Sequence, residues 1–276
     1  MKKSRLLALF LVLALVLTAF AGCGGDNGGN GDGEKTYTIG TDTTFAPFEF
    51  EDEAGNFVGI DMELLDAIAQ DQGFKYELEI LGFDAACQAL EAGQVDGVIA
   101  GMSIKPDREE KYDFSEPYFD SGVVMGIAAD NDTIKSYEDL KGKTVAVKIG
   151  TEGEAFAESI ADQYGFEMTH LQDSAFMYED VKSGNSVACF EDYPVLGYGV
   201  SQNNGLKIVT EMERGSSYGF AVLKGENPEL IEMFNAGLKN LRDSGKYQEI
   251  LDKYIVTEAA GDDGAEDGAE DGADAE

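Results

Sequence analysis

The sequence predicts an α/β protein of two lobes, and three observations carry that prediction. Apolar segments with strand character alternate with segments of helical periodicity. The strand–helix–strand–helix–strand order occurs twice, at about residues 36–101 and 144–192. Two long β-type stretches with no helix signal connect these runs. Alternation of this kind implies mainly parallel sheets with helices on both faces.

The elements follow in order. TYTIGT (36–41) alternates apolar and polar residues like a strand. GIDMELLDAIAQDQG (59–73) sets Ile60, Leu64, Leu65, Ile68 and Ala69 on one helical face and stops at a glycine. KYELEIL (75–81) reads as a strand, DAACQALEAG (84–93) as a helix and VDGVIAG (95–101) as a buried strand. TVAVKIG, EGEAFAESIADQYG, EMTHLQ, SAFMYEDVKSG and SVACFED repeat the order, and a helix begins near Pro194. YFDSGVVMGIAA (118–129) and SYGFAVLKG (217–225) are the crossing strands, and two helices, NPELIEMFNAGLKNLRDSG and GKYQEILDKYI, close the fold. The chain therefore builds most of lobe 1 (36–118), then lobe 2 (123–213), and returns to lobe 1 (219–256). Two rigid bodies joined by two extended strands make a hinge.

The ends read differently. MKKSRLLALFLVLALVLTAFAGC has a basic start, an apolar run and small residues before Cys23, the pattern of a secretory signal over residues 1–22. FAGC resembles a bacterial lipobox, with Phe20 where leucine is usual, so Cys23 is the expected lipidation site and residues 23–35 a Gly-rich tether. The expected location is extracytoplasmic, anchored to the cell membrane as a lipoprotein. Residues 257–276 repeat Gly, Ala, Glu and Asp without a large apolar residue and read as a disordered acidic tail. The spacing of its acids matches no calcium-binding loop.

Charge narrows the function classes. The formal charge is −34, and removing Lys2, Lys3 and Arg5 with the signal takes it to −37. Such a chain is repelled by nucleic acid and by anionic lipid. His170 is the only histidine, which removes the usual residues of transition-metal binding and His-based catalysis, and no cofactor is expected. Cys87 in a helix and Cys189 in a strand read as small packed hydrophobes, unbonded because they fall in different lobes.

Ligands of open parallel sheets bind where the loops gather, at the carboxyl ends of the strands. Those ends carry Asp42 and Phe45, then Phe83, then Gly101, Ser103 and Arg108. The second run adds Lys148 and Thr151 at a helix start, and Glu191 and Asp192. Arg108 is the only arginine between Arg5 and Arg214. It reads either as a surface partner of Glu109 or Glu110 or as a grip on a ligand carboxylate. Taken together the set forms a cage for an amino acid. A guanidinium grips an α-carboxylate bidentately, a helix start adds N–H donors, a carboxylate takes the α-ammonium and aromatic faces cover the side chain.

TDTTFAPFEF, GIDMELLDAIA, AGMSIKPDREEKYDFSEPYF, VAVKIGTEGE and GKYQEILDKY resemble, over about residues 36–256, the polar amino-acid (glutamine-type) solute-binding proteins of ABC importers, bacterial extracellular solute-binding protein family 3. The resemblance implies the type II periplasmic-binding-protein fold, a monomer that closes over a free amino acid and presents it to a membrane permease. It implies that Arg108 holds the α-carboxylate, helped by Ser103 and the Thr151 backbone. Asp192 then takes the α-ammonium with the Gly101 carbonyl and Ser103, and Phe45 and Phe83 sandwich the side chain. Asp42 and Lys148 match the positions that read a side-chain amide, so glutamine is the expected ligand. Glu191 stands where the glutamine binders have histidine and is a possible ligand contact that would favour arginine or lysine. An enzyme related to the dehydratases of this fold is a further alternative, but no nucleophile–base pair supports it. A sensory ectodomain would continue into a transmembrane helix, where this sequence reads on into the acidic tail.

Overall fold

Two sheets organise the chain, each with a parallel centre and antiparallel additions. The structure is a computed structural model and describes residues 35–255. The predicted signal, Cys23, nearly all of the tether and the acidic tail lie outside the described residues.

The first sheet runs in the order Lys75–Ile80, Thr36–Thr41, Gly97–Val98, Ala221–Leu223, Tyr112–Phe114. Thr36 lies opposite Lys75 and Thr41 opposite Ile80, in parallel register. Alternate residues point to opposite faces, so Ile39 enters the core against Leu64, Leu65 and Ile68 of the helix Ile60–Gln72. That helix ends at Gly73 with φ 74°, the left-handed cap that favours glycine. The predicted strand 95–101 shortens to Gly97–Val98. The residues flanking it still bond the neighbouring strand Thr36–Thr41, Asp96 N to Thr38 O at 2.7 Å and Ile99 N to Gly40 O at 3.1 Å. Beyond Ile99 the chain turns toward the loops at Gly101 (φ 53°).

The second sheet runs Leu206–Ile208, Phe119–Ala128, Ala188–Asp192, Thr144–Lys148, Glu167–Leu171, with Glu213–Tyr218 also paired to Phe119–Ala128. Thr144–Lys148 is parallel to both of its neighbours. The first crossing strand, Phe119–Ala128, is antiparallel to all of its partners. A second core, with Val145, Val147, Phe156 and Phe190, lies on this sheet.

The second crossing stretch is not one strand. Glu213–Tyr218 belongs to the second sheet and Ala221–Leu223 to the first. The step between them is fixed by contacts: a Cβ on Gly219 would sit 2.9 Å from the Ile104 side chain, and Phe220 stacks on Phe234 with centroids 4.8 Å apart. The two crossing strands pair with each other, Tyr218 opposite Phe119 and Ser217 opposite Asp120. Cys87 and Cys189 are both free, and Cys189 is buried. No helix among the described residues is long and apolar enough to cross a membrane.

Candidate functional site

Strand ends from both sheets meet at one cleft. Thr36–Thr41 delivers Asp42, whose Oδ1 accepts from the N–H groups of Thr43 (2.6 Å) and Phe83 (3.2 Å). Its Oδ2 pairs with the Nζ of Lys148, delivered by Thr144–Lys148, and both side chains are 1% exposed. Burial is the largest influence and would depress the Lys148 pKa, but the carboxylates of Asp42, Glu191 and Glu49 together outweigh it and the net direction is upward. This pair spans the two sheets.

Phe45 sits in a turn closed by its N–H on the Glu49 carbonyl (2.8 Å), with the Lys148 Nζ 4.9 Å from its ring centroid. Gly101 backs onto that ring so closely that a Cβ would fall 2.3 Å from it. The Gly101 N–H donates to Asp61 Oδ2 at 2.9 Å, and the Tyr118 hydroxyl donates to the same oxygen at 2.8 Å. Below the turn, Glu49 is fully buried and neither carboxyl oxygen meets the geometry of a hydrogen bond. Burial, then the neighbouring Asp61, pushes its pKa well above the usual carboxylate range.

Arg108 lies in the short helix Pro106–Glu109 and is buried, 7% exposed. Its guanidinium donates to the carbonyls of Ser103 and Gly150, each at 2.9 Å, and lies 5.2 Å from the centroid of Phe83. No carboxylate among the described residues comes within 4.0 Å of it, so Glu109 and Glu110 are not its partners. A guanidinium has five N–H donors in a fixed fork, so donors remain for an anion. The Gly150 contact comes from the second-sheet side and gives the two halves another tie.

Asp192 ends the strand Ala188–Asp192 and accepts from the Tyr218 hydroxyl at 2.5 Å; Ser121 Oγ donates to that hydroxyl at 3.0 Å. Burial, then the adjacent Glu191, raises the Asp192 pKa to about 7, while Arg108 pulls it down. Thr151 caps the helix Glu152–Tyr164, its Oγ1 accepting from Glu154 N at 3.3 Å. Ser103 Oγ faces Ser216 Oγ at 3.3 Å.

These side chains line one narrow cleft. All the predicted binding residues line it except Asp42 and Glu191. Asp42 stands one layer back, behind Lys148. Glu191 is turned away: its Oε2 accepts from Ser174 Oγ (2.8 Å) and Tyr178 Oη (3.1 Å), and its Oε1 from Asp192 N (3.0 Å). Its pKa is raised by burial and restrained by Lys148. His170 lies outside the cleft, on Glu154 at 2.7 Å.

Sequence reasoning missed three residues. Glu152 lines the cleft beside Thr151; an acid in the first helical turn reads as ordinary dipole compensation. Tyr218 orients Asp192 from the second crossing strand, and only the pairing of the two crossings brings it there. Asp61 holds Gly101, and the signal was available: an aspartate among the buried residues of the first helix.

Two α/β halves, linked by paired crossing strands around a buried polar cleft with a cation and an anion at its wall, define a receptor for a small zwitterion. The chain matches the model of the bacterial extracellular solute-binding proteins, family 3, over residues 37–257. It is 32% identical over 251 residues to the arginine-binding extracellular protein ArtP of Bacillus subtilis, covering 91% of this chain and 98% of that protein. Substrate-binding domain 2 of Lactococcus lactis GlnP, solved in an open conformation, is 42% identical with a TM-score of 0.58, covering 81% of this chain and 97% of that one. An ancestral arginine-binding protein bound to glutamine is 40% identical with a TM-score of 0.74, covering 80% and 97%. The protein belongs to family 3 of the bacterial extracellular solute-binding proteins, and it is an amino-acid solute-binding protein of an ABC importer with the type II periplasmic-binding-protein fold.

Proposed function

We propose that this protein captures a polar amino acid, glutamine before others, between lobes 36–118 plus 219–256 and 123–213, and delivers it to its permease as a monomer anchored through a lipid on Cys23. The observation that carries the reading is Arg108, a buried guanidinium with free donors and no carboxylate partner among the described residues, on the same cleft wall as Asp192. An α-carboxylate supplies the missing anion and an α-ammonium supplies the partner for Asp192. Ser103 Oγ faces another serine and Thr151 Oγ1 donates to the Lys148 carbonyl at 2.7 Å, so neither is paired with a base among the described residues, which supports binding rather than catalysis.

Glutamine is favoured by the far end of the cleft. Lys148 lines it, and its ammonium can donate to an amide carbonyl while repelling a cationic side chain. Glu191, the residue that would attract a cation, already accepts from Ser174, Tyr178 and Asp192 N. A basic amino acid is the second reading, favoured by the likeness to an arginine-binding protein and by the ancestral relative solved both with glutamine and with arginine. The fold matches those ligand-bound forms (TM-score 0.74) more closely than the open domain (0.58), which supports capture by closure. Calorimetric titration with glutamine, glutamate, arginine, lysine and histidine tests the assignment. Arginine binding tenfold or more tighter than glutamine would overturn it and leave amino-acid capture standing.

A further inference from the structure

We propose that Lys105, Glu152 and Arg214 form a charged latch at the rim of the cleft that sets how long the closed form lasts. The inference rests on the reading of capture by closure. Glu152 is 9% exposed, yet two cations converge on it: Lys105 Nζ lies 3.1 Å from Oε2 and Arg214 Nη1 3.2 Å from Oε1. The Lys105 approach is a charge contact and not a directed hydrogen bond, since Oε2 has no hydrogen-bonding partner.

The three residues belong to different parts of the machine. Lys105 follows Ser103 on the loop that leads into the Arg108 helix, on the first-sheet side. Glu152 opens the helix Glu152–Tyr164 on the second-sheet side. Arg214 lies in the crossing strand Glu213–Tyr218, which pairs within the second sheet. A hinge rotation that parts the halves breaks the Lys105 contact and leaves the Arg214 contact intact. Arg214 thus keeps Glu152 aimed and partly neutralised, and Lys105 completes the pair on closing.

The backbone at Arg214 is built for this. Its φ is 44°, a region that residues with side chains seldom occupy, and the strand register shifts between Glu213 and Ser216. The irregularity turns the guanidinium toward Glu152, with the ring of Phe156 5.4 Å away on the same helix. Asp107, 3.6 Å from Lys105, is a waiting alternative partner for the ammonium in the open form.

The test is rapid-mixing measurement of glutamine release from the full protein for wild type, Lys105→Met, Glu152→Gln and the double variant, at low and high salt. Each single variant is expected to release glutamine roughly five- to tenfold faster, between the effects of exposed and buried ion pairs, and in Lys105→Met, which lies outside the cleft lining, association should be unchanged. The double variant should release no faster than the singles, Lys105→Arg should restore slow release, and added salt should speed wild type but not Lys105→Met. Unchanged release in the single variants, or effects that multiply in the double, would overturn the latch. A protein that binds no amino acid defeats the capture reading instead. The latch is then read by the distance between fluorophores on the two halves, where Lys105→Met must lower the closed fraction, and identical distributions overturn it.

Discussion

Arg108 shows what one side chain contributes when its environment withholds a counterion. Two carbonyls satisfy part of the fork and hold the plane in place, so its remaining donors are pre-oriented before any ligand arrives. Arg108→Ala should therefore lose about 3–5 kcal/mol of binding, on the order of a hundred-fold to several thousand-fold in affinity. Its melting temperature should stay near that of wild type, since the substitution also removes a buried charge. Binding within tenfold of wild type by calorimetry would contradict the carboxylate role. Asp192 makes a pH prediction. Its folded pKa of about 7 lies above its usual 3.8, so the native state holds the proton more tightly than the unfolded chain. That stabilisation is complete below 3.8 and is lost as pH rises through 7. On the proposed role of Asp192 binding runs the other way, because an α-ammonium would need the ionised carboxylate. Affinity should fall by up to about tenfold per pH unit below 7, and Asp192→Asn should bind weakly with that dependence gone. A wild-type affinity that is flat between pH 5.5 and 8 would count against this.

At the scale of elements, the site depends on turns as much as on strands. Gly101 permits the wall behind Phe45 both by its left-handed backbone and by lacking a Cβ. Gly101→Ala should cost about 1–3 kcal/mol of stability through overpacking and strain and displace the ring. Affinity should fall more than tenfold, and a variant with unchanged melting and binding would show that the turn adapts freely. The strands that deliver the site were legible because periodicity is local: Thr36–Thr41 and Thr144–Lys148 lie where their patterns put them. The shortening of 95–101 and the break at Gly219–Phe220 were not, since they depend on which neighbour the backbone meets. The cleft residues were largely legible from the strand-end rule and from family resemblance together. Glu191 shows the limit: sequence puts it beside Asp192, but only Ser174 and Tyr178, which come from the helix Ser174–Lys182, decide which way it faces. Tyr218 escaped for the same reason, because its partner Asp192 is remote in sequence, and Glu152 because an acid in a first helical turn already has an ordinary explanation.

For the whole molecule, the double crossing has a consequence for synthesis. The first sheet needs Ala221–Leu223 to join Gly97–Val98 to Tyr112–Phe114, and its core needs the helix Pro228–Ser244, whose Phe234 stacks on Phe220. The second sheet has all its strands once Tyr218 is made. Domains tend to fold as units as they emerge from the N-terminus. Here the half that starts first must wait, with Ile39, Leu64 and Ile68 uncovered, while the inserted half forms between its two parts. A chain ending at residue 225 should show protected amides in the second sheet and rapid exchange in strand 36–41, by hydrogen exchange with mass spectrometry. Equal protection in both would refute that order. The first lobe to be made is the last to be finished, and a chaperone would find its unburied surface there.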